Sequence, residues 1–254
     1  MARIELRHCD IIIRDGLAGT ALINEAGAMA GDASLTIDTV ALNTDVTTLV
    51  PIGARFKAAG ETDTDAVHVV TARTPVSAGP TTEITFSPIL GTGTFAENNV
   101  LTFQPQELNI KIGDGDLRYT ERDEFNYDLD RGELDTVRRA DDVPMEVVSN
   151  FVYENITTGT GEDIAPMDAI KRKGSASEWV SAAADQCEPY AVDFLVKHTP
   201  PCGTSEKEFT LFPDFRSEQR EVNFKESNIQ ITGRCNRLEP VTWRGEIEDE
   251  PVEV

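Results

Sequence analysis

Along most of the chain apolar and polar residues alternate with a period of two, the pattern of strands that lay one face on a core. It predicts strands at SLTIDTV (34–40), RFKAAG (55–60), AVHVVTAR (66–73), TEITFSPIL (82–90) and NVLTFQP (99–105). Between them stand Gly31-Asp32, Gly60, Ala78-Gly79-Pro80 and Gly91-Thr92-Gly93, which are turn formers. Short strands at such spacing predict a small barrel or sandwich. Further strands are expected at ELNIKIG (107–113), 116–120, 124–128, 144–154, YAVDFLVK (190–197), KEFTLF (207–212), 219–225 and NIQITG (228–233). The opening run IELRHCDIIIRDG (4–16) is strand-like as well. Only two stretches read as helical. In EDIAPMDAIKRKG (162–174) acids precede Ile164, Met167 and Ile170, and bases and Gly174 follow, an order that suits the helix dipole and a helix stop. SEWVSAAADQ (177–186) predicts a second short helix.

Composition divides this β-rich chain. Residues 17–105 are rich in Ala, Thr and Gly, lack Trp, Tyr and Cys, and hold nine acids against three bases. Residues 106–254 hold 33 acids against 17 bases, and residues 1–16 balance. The strand in 1–16 belongs compositionally with 106–254, so the expected organisation is one domain from residues 1–16 and 106–254 with an inserted all-β module at 17–105. A plain tandem of two domains is the alternative.

The net charge is −22. Proteins that grip nucleic acid need the reverse, since affinity comes from Lys and Arg neutralising phosphates. No signal peptide and no apolar run long enough for a membrane span is visible. Four cysteines fit synthesis in a reducing cytoplasm. Cys187, Cys202 and Cys235 lack CxxC spacing; a zinc cluster with His198, a Cys187–Cys202 bridge and buried thiols all stay open. His68 falls in an apolar strand pattern and is expected to pack there rather than bind a ligand. GDGDLRYTERDE (113–124) fails as a calcium loop, with Arg118 and Tyr119 where an oxygen ligand and glycine are needed. There is no Walker A loop, GxGxxG, HExxH or GxSxG. No carboxylate pair has an apolar setting that would split its pKa values. The expectation is a protein without catalytic residues, metal or cofactor.

One long connection stands out. Residues 128–142 set Asp128, Asp130, Glu133, Asp135, Asp141 and Asp142 against Arg131, Arg138 and Arg139. Mixed signs suit a loop that docks on another copy through complementary pairs, and a solvated charged loop is the alternative reading.

The stretch DLDRGELDTVRRADDVPMEVVSNFVYE, the helix-like EDIAPMDAIKRKG, the run DQCEPYAVDFLV and the ending FPDFRSEQREVNFKESNIQITGRCNRLEP occur in that order. Together they make residues 106–254 resemble the tail tube (major tail) proteins of long-tailed bacteriophages. The run from AGDASLTIDTV to EITFSPIL is similar to a small β-module of phage structural proteins. The resemblance implies a mainly β fold, a tail-tube-type β-sandwich with a flanking α-helix; the small inserted barrel or sandwich departs from the family pattern and is expected to decorate the outside, where its bulk obstructs neither stacking nor the channel. It implies hexameric rings that stack into a tube in the virion, assembled in the host cytoplasm. Partners would be the chain itself, tape measure, terminator and tail tip proteins, with DNA passing through unbound and no membrane. It places 128–142 between rings and makes Asp193, Glu208, Glu221 and Glu226 candidates for an acidic lumen that repels phosphates. The rival readings are a head–tail connector or tail terminator, which forms one ring, and a two-module adhesive or carbohydrate-binding protein. Against the last, only 7% of residues are aromatic, and Trp179 and Trp243 lie far apart in sequence.

Overall fold

A computed structural model describes residues 8–24, 28, 30–38, 50–75, 81–113, 115–131, 133–154, 156–157, 163–183, 187–199, 206–246 and 250–251. Cys202 and Asp114 fall outside them. The molecule is mainly β. Strand β1 is Cys9–Arg14. Then come β2 Gly19–Ile23, β3 Ser34–Asp38, β4 Arg55–Ala58, β5 His68–Pro75, β6 Thr81–Ser87 and β7 Val100–Gln104. After β8 (Glu107–Ile110) and β9 (Leu117–Thr120) follow β10 Phe125–Asp130, β11 Glu133–Arg139 and β12 Glu146–Val152. The short β13 Ile156–Thr157 and β14 Asp163–Ile164 precede the helix α1, Pro166–Lys171. The chain ends with β15 Val192–His198, β16 Lys207–Asn223, β17 Asn228–Arg234 and β18 Val241–Gly245.

Two compact units result. One comprises Met1–Ile12, Asn109–Glu154 and Ala191–Val254; the other comprises Ile13–Leu108 and Asn155–Tyr190. The second unit therefore takes in the segment 155–190 as well as the module expected at 17–105.

In that second unit β2-β3-β6-β5-β4-β7 close into an antiparallel six-stranded barrel. The period-two pattern explains it. Leu35 and Ile37, Phe56 and Ala58, and Leu101 and Phe103 point inward, while their neighbours face solvent. Closure leaves no free edge. Phe56 packs in its interior, its ring centroid 5.2 Å from that of Phe86 and 5.7 Å from that of Phe103. Phe56→Ala is expected to lower the unfolding free energy of this unit by about 3–5 kcal/mol, readable by chemical denaturation.

The chain enters and leaves the barrel at one junction. The Asp15 N–H donates to the Gln106 carbonyl at 3.1 Å. The buried Asp15 carboxylate accepts three backbone N–H groups, from Leu17 (3.2 Å), Gln106 (2.7 Å) and Val180 (3.2 Å). The Gly16 N–H donates to the Val180 carbonyl at 3.1 Å. A Cβ on Gly16 would lie 2.1 Å from the Ser181 carbonyl oxygen, so only glycine fits there.

This junction also corrects the helix expected at 177–186. Its described part, 177–183, is not helical. Both backbone groups of Val180, which a helix would use internally, are committed to Asp15 and Gly16. The first expected helix exists but is short. Pro166 stands at its start, where no N–H is needed, and Arg172 turns left-handed (φ 52°) at its end.

In the first unit the sheet order is β8-β1-β15-β16-β17-β12-β9, with β18 also on β16. The strands expected at 207–212 and 219–225 are one strand, β16, 17 residues long. Its first part pairs with β15 and β18, its second with β17. Between them Pro213 and Asp214 bulge out: Phe212 pairs with Phe194 and Phe215 with Val192. Asp214 adopts φ 52° and its N–H donates to Asp193 Oδ1 at 3.0 Å. Proline and a left-handed residue are tolerated because a bulge needs neither a ladder donor nor extended geometry there.

Candidate assembly surface

The segment 128–142 is not an open loop. Most of it is the hairpin β10–β11, which pairs with no other strand among the described residues. Asp128 and Asp130 lie on β10, Arg131 forms the turn at φ 51°, and Glu133, Asp135, Arg138 and Arg139 lie on β11. Asp141 and Asp142 follow it and are exposed. The register shifts after Asp128, which pairs with Thr136, while Leu129 pairs with Leu134 and Asp135 is skipped.

Register sorts the hairpin into two faces. On one, Tyr127 opposes Val137 and Leu129 opposes Leu134, with Phe125 at the end. These five side chains remain 48% (Phe125), 62% (Tyr127), 66% (Leu129), 59% (Leu134) and 49% (Val137) exposed. Together they offer about 500 Å² of mostly apolar surface, within the upper part of the range monomers leave in one patch. The opposite face is polar. There Asp128 accepts from Thr136 Oγ1 at 3.0 Å and pairs with Arg138 at 3.4 Å. Arg139, which opposes Phe125 at the end of the apolar face, pairs with Asp142 at 3.1 Å and with Asp123 at 3.8 Å. Arg138 and Arg139 are thus engaged within their own segment, and exposed pairs of this kind contribute about 0–1 kcal/mol each.

The hairpin follows β9 directly. That strand is last in the sheet order, and β12 is its partner. Among the described residues, a sheet edge with no further strand on it and an apolar hairpin face therefore sit within residues 117–139. The strand expected at 124–128 overlaps β10, but the face was missed because the partner strand β11, ELDTVRR, does not alternate and neither strand lies on the core.

The four lumen candidates are dispersed. Asp193 caps the β16 bulge. Glu208 accepts from Arg244 at 3.3 Å. Glu221 is exposed late on β16, and Glu226 is exposed in the turn before β17, accepting from Asn223 Nδ2 at 3.1 Å. By register, Glu221 shares its sheet face with Arg216, Arg234, Glu146 and Arg118, so that face is of mixed charge rather than uniformly acidic.

Among the described residues no group of three metal-ligating side chains occurs, and no helix is long and apolar enough to cross a membrane. Cys187 is exposed, Cys9 half-buried and Cys235 buried. Burial, with Asp193 and then Asp214 adding to it, pushes the Cys235 thiol up to about 12, which leaves it a poor nucleophile. No family model, curated protein or solved structure matches the chain.

Proposed function

We propose that the chain is a self-assembling structural subunit, the building block of the tail tube of a long-tailed bacteriophage. The observation that carries the reading is the unpartnered hairpin with its apolar face. A two-stranded hairpin is marginal in water by itself, and this one leaves five large apolar side chains uncovered. The occupant of that face is a second copy of the chain. Two such contributions reach about 1,000 Å², the least that a specific interface is expected to bury. The open β9 edge beside it calls for the same solution, since a closed ring gives each subunit's edge a neighbour. The sequence resemblance supplies the tube of stacked hexameric rings. Its conducting role draws on the net charge of −22, and on Glu221 and Glu226 as the two candidate carboxylates that lie exposed.

Negative-stain electron microscopy of the purified protein tests the proposal. Stacked six-fold rings or hollow tubes are expected. Single closed rings would replace the tube with a connector or terminator, and monomers under all conditions would remove the assembly reading. Assembly should also strengthen as salt rises. Salt screens repulsion between copies that each carry −22, while apolar burial does not weaken with it. Dissociation at high salt would instead assign the contact to ion pairs.

A further inference from the structure

Two β10–β11 faces laid against each other would make an isologous pair, which closes as a dimer. Rings and filaments need each face to meet a different patch on the next copy. The first unit holds such a patch. Phe224, in the turn between β16 and β17, is 77% exposed, more than any other large apolar side chain among the described residues. Tyr153 beside it is 37% exposed, and the two rings meet edge to face with centroids 5.8 Å apart. The turn is fixed by its own hydrogen bonds. Asn223 Oδ1 accepts the N–H groups of Lys225 at 3.1 Å and Glu226 at 3.4 Å, and Asn223 Nδ2 donates to Glu226 Oε2 at 3.1 Å. Ser227 turns left-handed at φ 50°, and its carbonyl accepts the Tyr153 N–H at 2.7 Å. Phe224 is thus held outward before any partner arrives, so docking it costs little ordering.

Register places this patch at the opposite end of the sheet from the base of the hairpin. At one end Thr120 of β9 pairs with Glu146 of β12, and Glu146 with Arg234 of β17. The chain between Thr120 and Glu146 forms the hairpin, whose base closes where the Ala140 N–H donates to the Glu124 carbonyl at 2.8 Å. At the other end Val152 pairs with Asn228, and Asn228 with Asn223, next to Tyr153 and Phe224. Strand β12 is seven residues long, so the two ends lie about 20 Å apart. A patch at each end of one sheet is the arrangement of a head-to-tail contact. The areas agree with it. Covering the hairpin face takes about 500 Å² of the next copy, and Phe224 with Tyr153 supplies roughly 200 Å² of that as an aromatic anchor, the polar turn around them forming the rim.

We propose that the Phe224–Tyr153 patch of one copy is the surface on which the apolar β10–β11 face of the next copy docks, head to tail. The proposal rests on the self-assembly reading above and names the two surfaces that meet. Each copy then uses both patches, one toward each neighbour, and the contact repeats. It makes a ring where the rotation between copies closes and a filament where it does not.

Sedimentation velocity of two full-length variants, alone and mixed, tests this. Phe224→Asp removes the anchor and keeps the hairpin face; Tyr127→Asp with Leu129→Asp does the reverse. Losing the Phe224 anchor and placing a charge in the contact should raise the concentration needed for assembly by roughly two orders of magnitude. At about ten times the wild-type threshold each variant alone should therefore sediment as a monomer, with the melting temperature of the wild type. Mixed one to one, the variants still share one intact contact, the hairpin face of the first on the Phe224–Tyr153 patch of the second. They should form dimers holding one copy of each, and nothing larger. Assembly of Phe224→Asp at the wild-type threshold, dimers of Phe224→Asp by itself, or a mixture of folded variants that stays monomeric would each overturn the proposal while leaving self-assembly in place. A wild type that is monomeric under all conditions would remove self-assembly and this contact together.

Discussion

Replacing Tyr127 and Leu129 together by aspartate is expected to abolish assembly while leaving the folded subunit intact. Both side chains are more than half exposed in the subunit, so no core is disturbed by their loss. Each residue is still on a strand, and the backbone ladder with β11 needs no particular side chain. On the face proposed to meet a second copy the two positions are central, opposite Val137 and Leu134. Burying such side chains contributes about 1.5–3 kcal/mol each, so their loss weakens every subunit contact by some two to four orders of magnitude before the added charge is counted. Sedimentation velocity should show the variant as a monomer at concentrations where the wild type assembles, with an unchanged melting temperature. The charge-reversed Arg131→Glu with Arg138→Glu is the informative contrast. Arg138 already pairs with Asp128, and exposed pairs are worth little, so assembly should shift only a few-fold. If the arginine variant dissociates and the aspartate variant assembles, the charged face is the contact and the apolar one is not.

That contrast shows where sequence reasoning reached and where it stopped. Strands that lay one face on a core were readable, because burial enforces the period of two. Leu35 with Ile37, Phe56 with Ala58, and Ile229 with Ile231 all read this way. Strand β11, ELDTVRR, was not readable, since it faces no core in the subunit and its pattern carries no burial signal. β16 was read as two strands because the bulge at Pro213-Asp214 interrupts the alternation, and the Asp193 carboxylate that holds the bulge lies 21 residues away. Once that carboxylate caps a backbone N–H, it is no longer simply a charge on an inner strand. His68 was expected to pack among apolar residues, and it does; its partner Glu61 was invisible, since acid and imidazole meet only when β5 closes against the turn after β4. The helix expected at 177–186 failed for a similar reason. Its local pattern was sound, but two backbone groups of Val180 are claimed by residues more than 160 positions earlier.

The carboxylate that claims one of them gives the second large effect. Burial pushes the Asp15 carboxyl up to about 7, against the pull of the Gln106, Val180 and Leu17 N–H groups and of Arg14. In the unfolded chain it titrates near its ordinary value of 3.8. Below that value both states are protonated, and the contribution of Asp15 to stability is fully present. Between about 4 and about 7 the unfolded chain gives up the proton while the folded one keeps it, so stability falls as the pH rises. Above about 7 both are ionised and the slope ends. The total is on the order of 4 kcal/mol, at about 1.4 kcal/mol per pH unit. The diagnostic quantity is the difference from Asp15→Asn, which isolates this one carboxyl group. That variant has no proton to lose. Its oxygen can still accept from Leu17 and Gln106, but its amide meets the Val180 N–H donor to donor, at a cost of about 1–3 kcal/mol. Melting curves should therefore show Asp15→Asn less stable than wild type below about pH 4 and more stable than wild type near pH 8, because the roughly 4 kcal/mol that the wild type loses over that interval exceeds the cost of the amide. Parallel pH profiles would mean that the three N–H groups keep Asp15 ionised in the folded state, and that the junction where the chain enters and leaves the barrel is held by an anion rather than by a carboxylic acid.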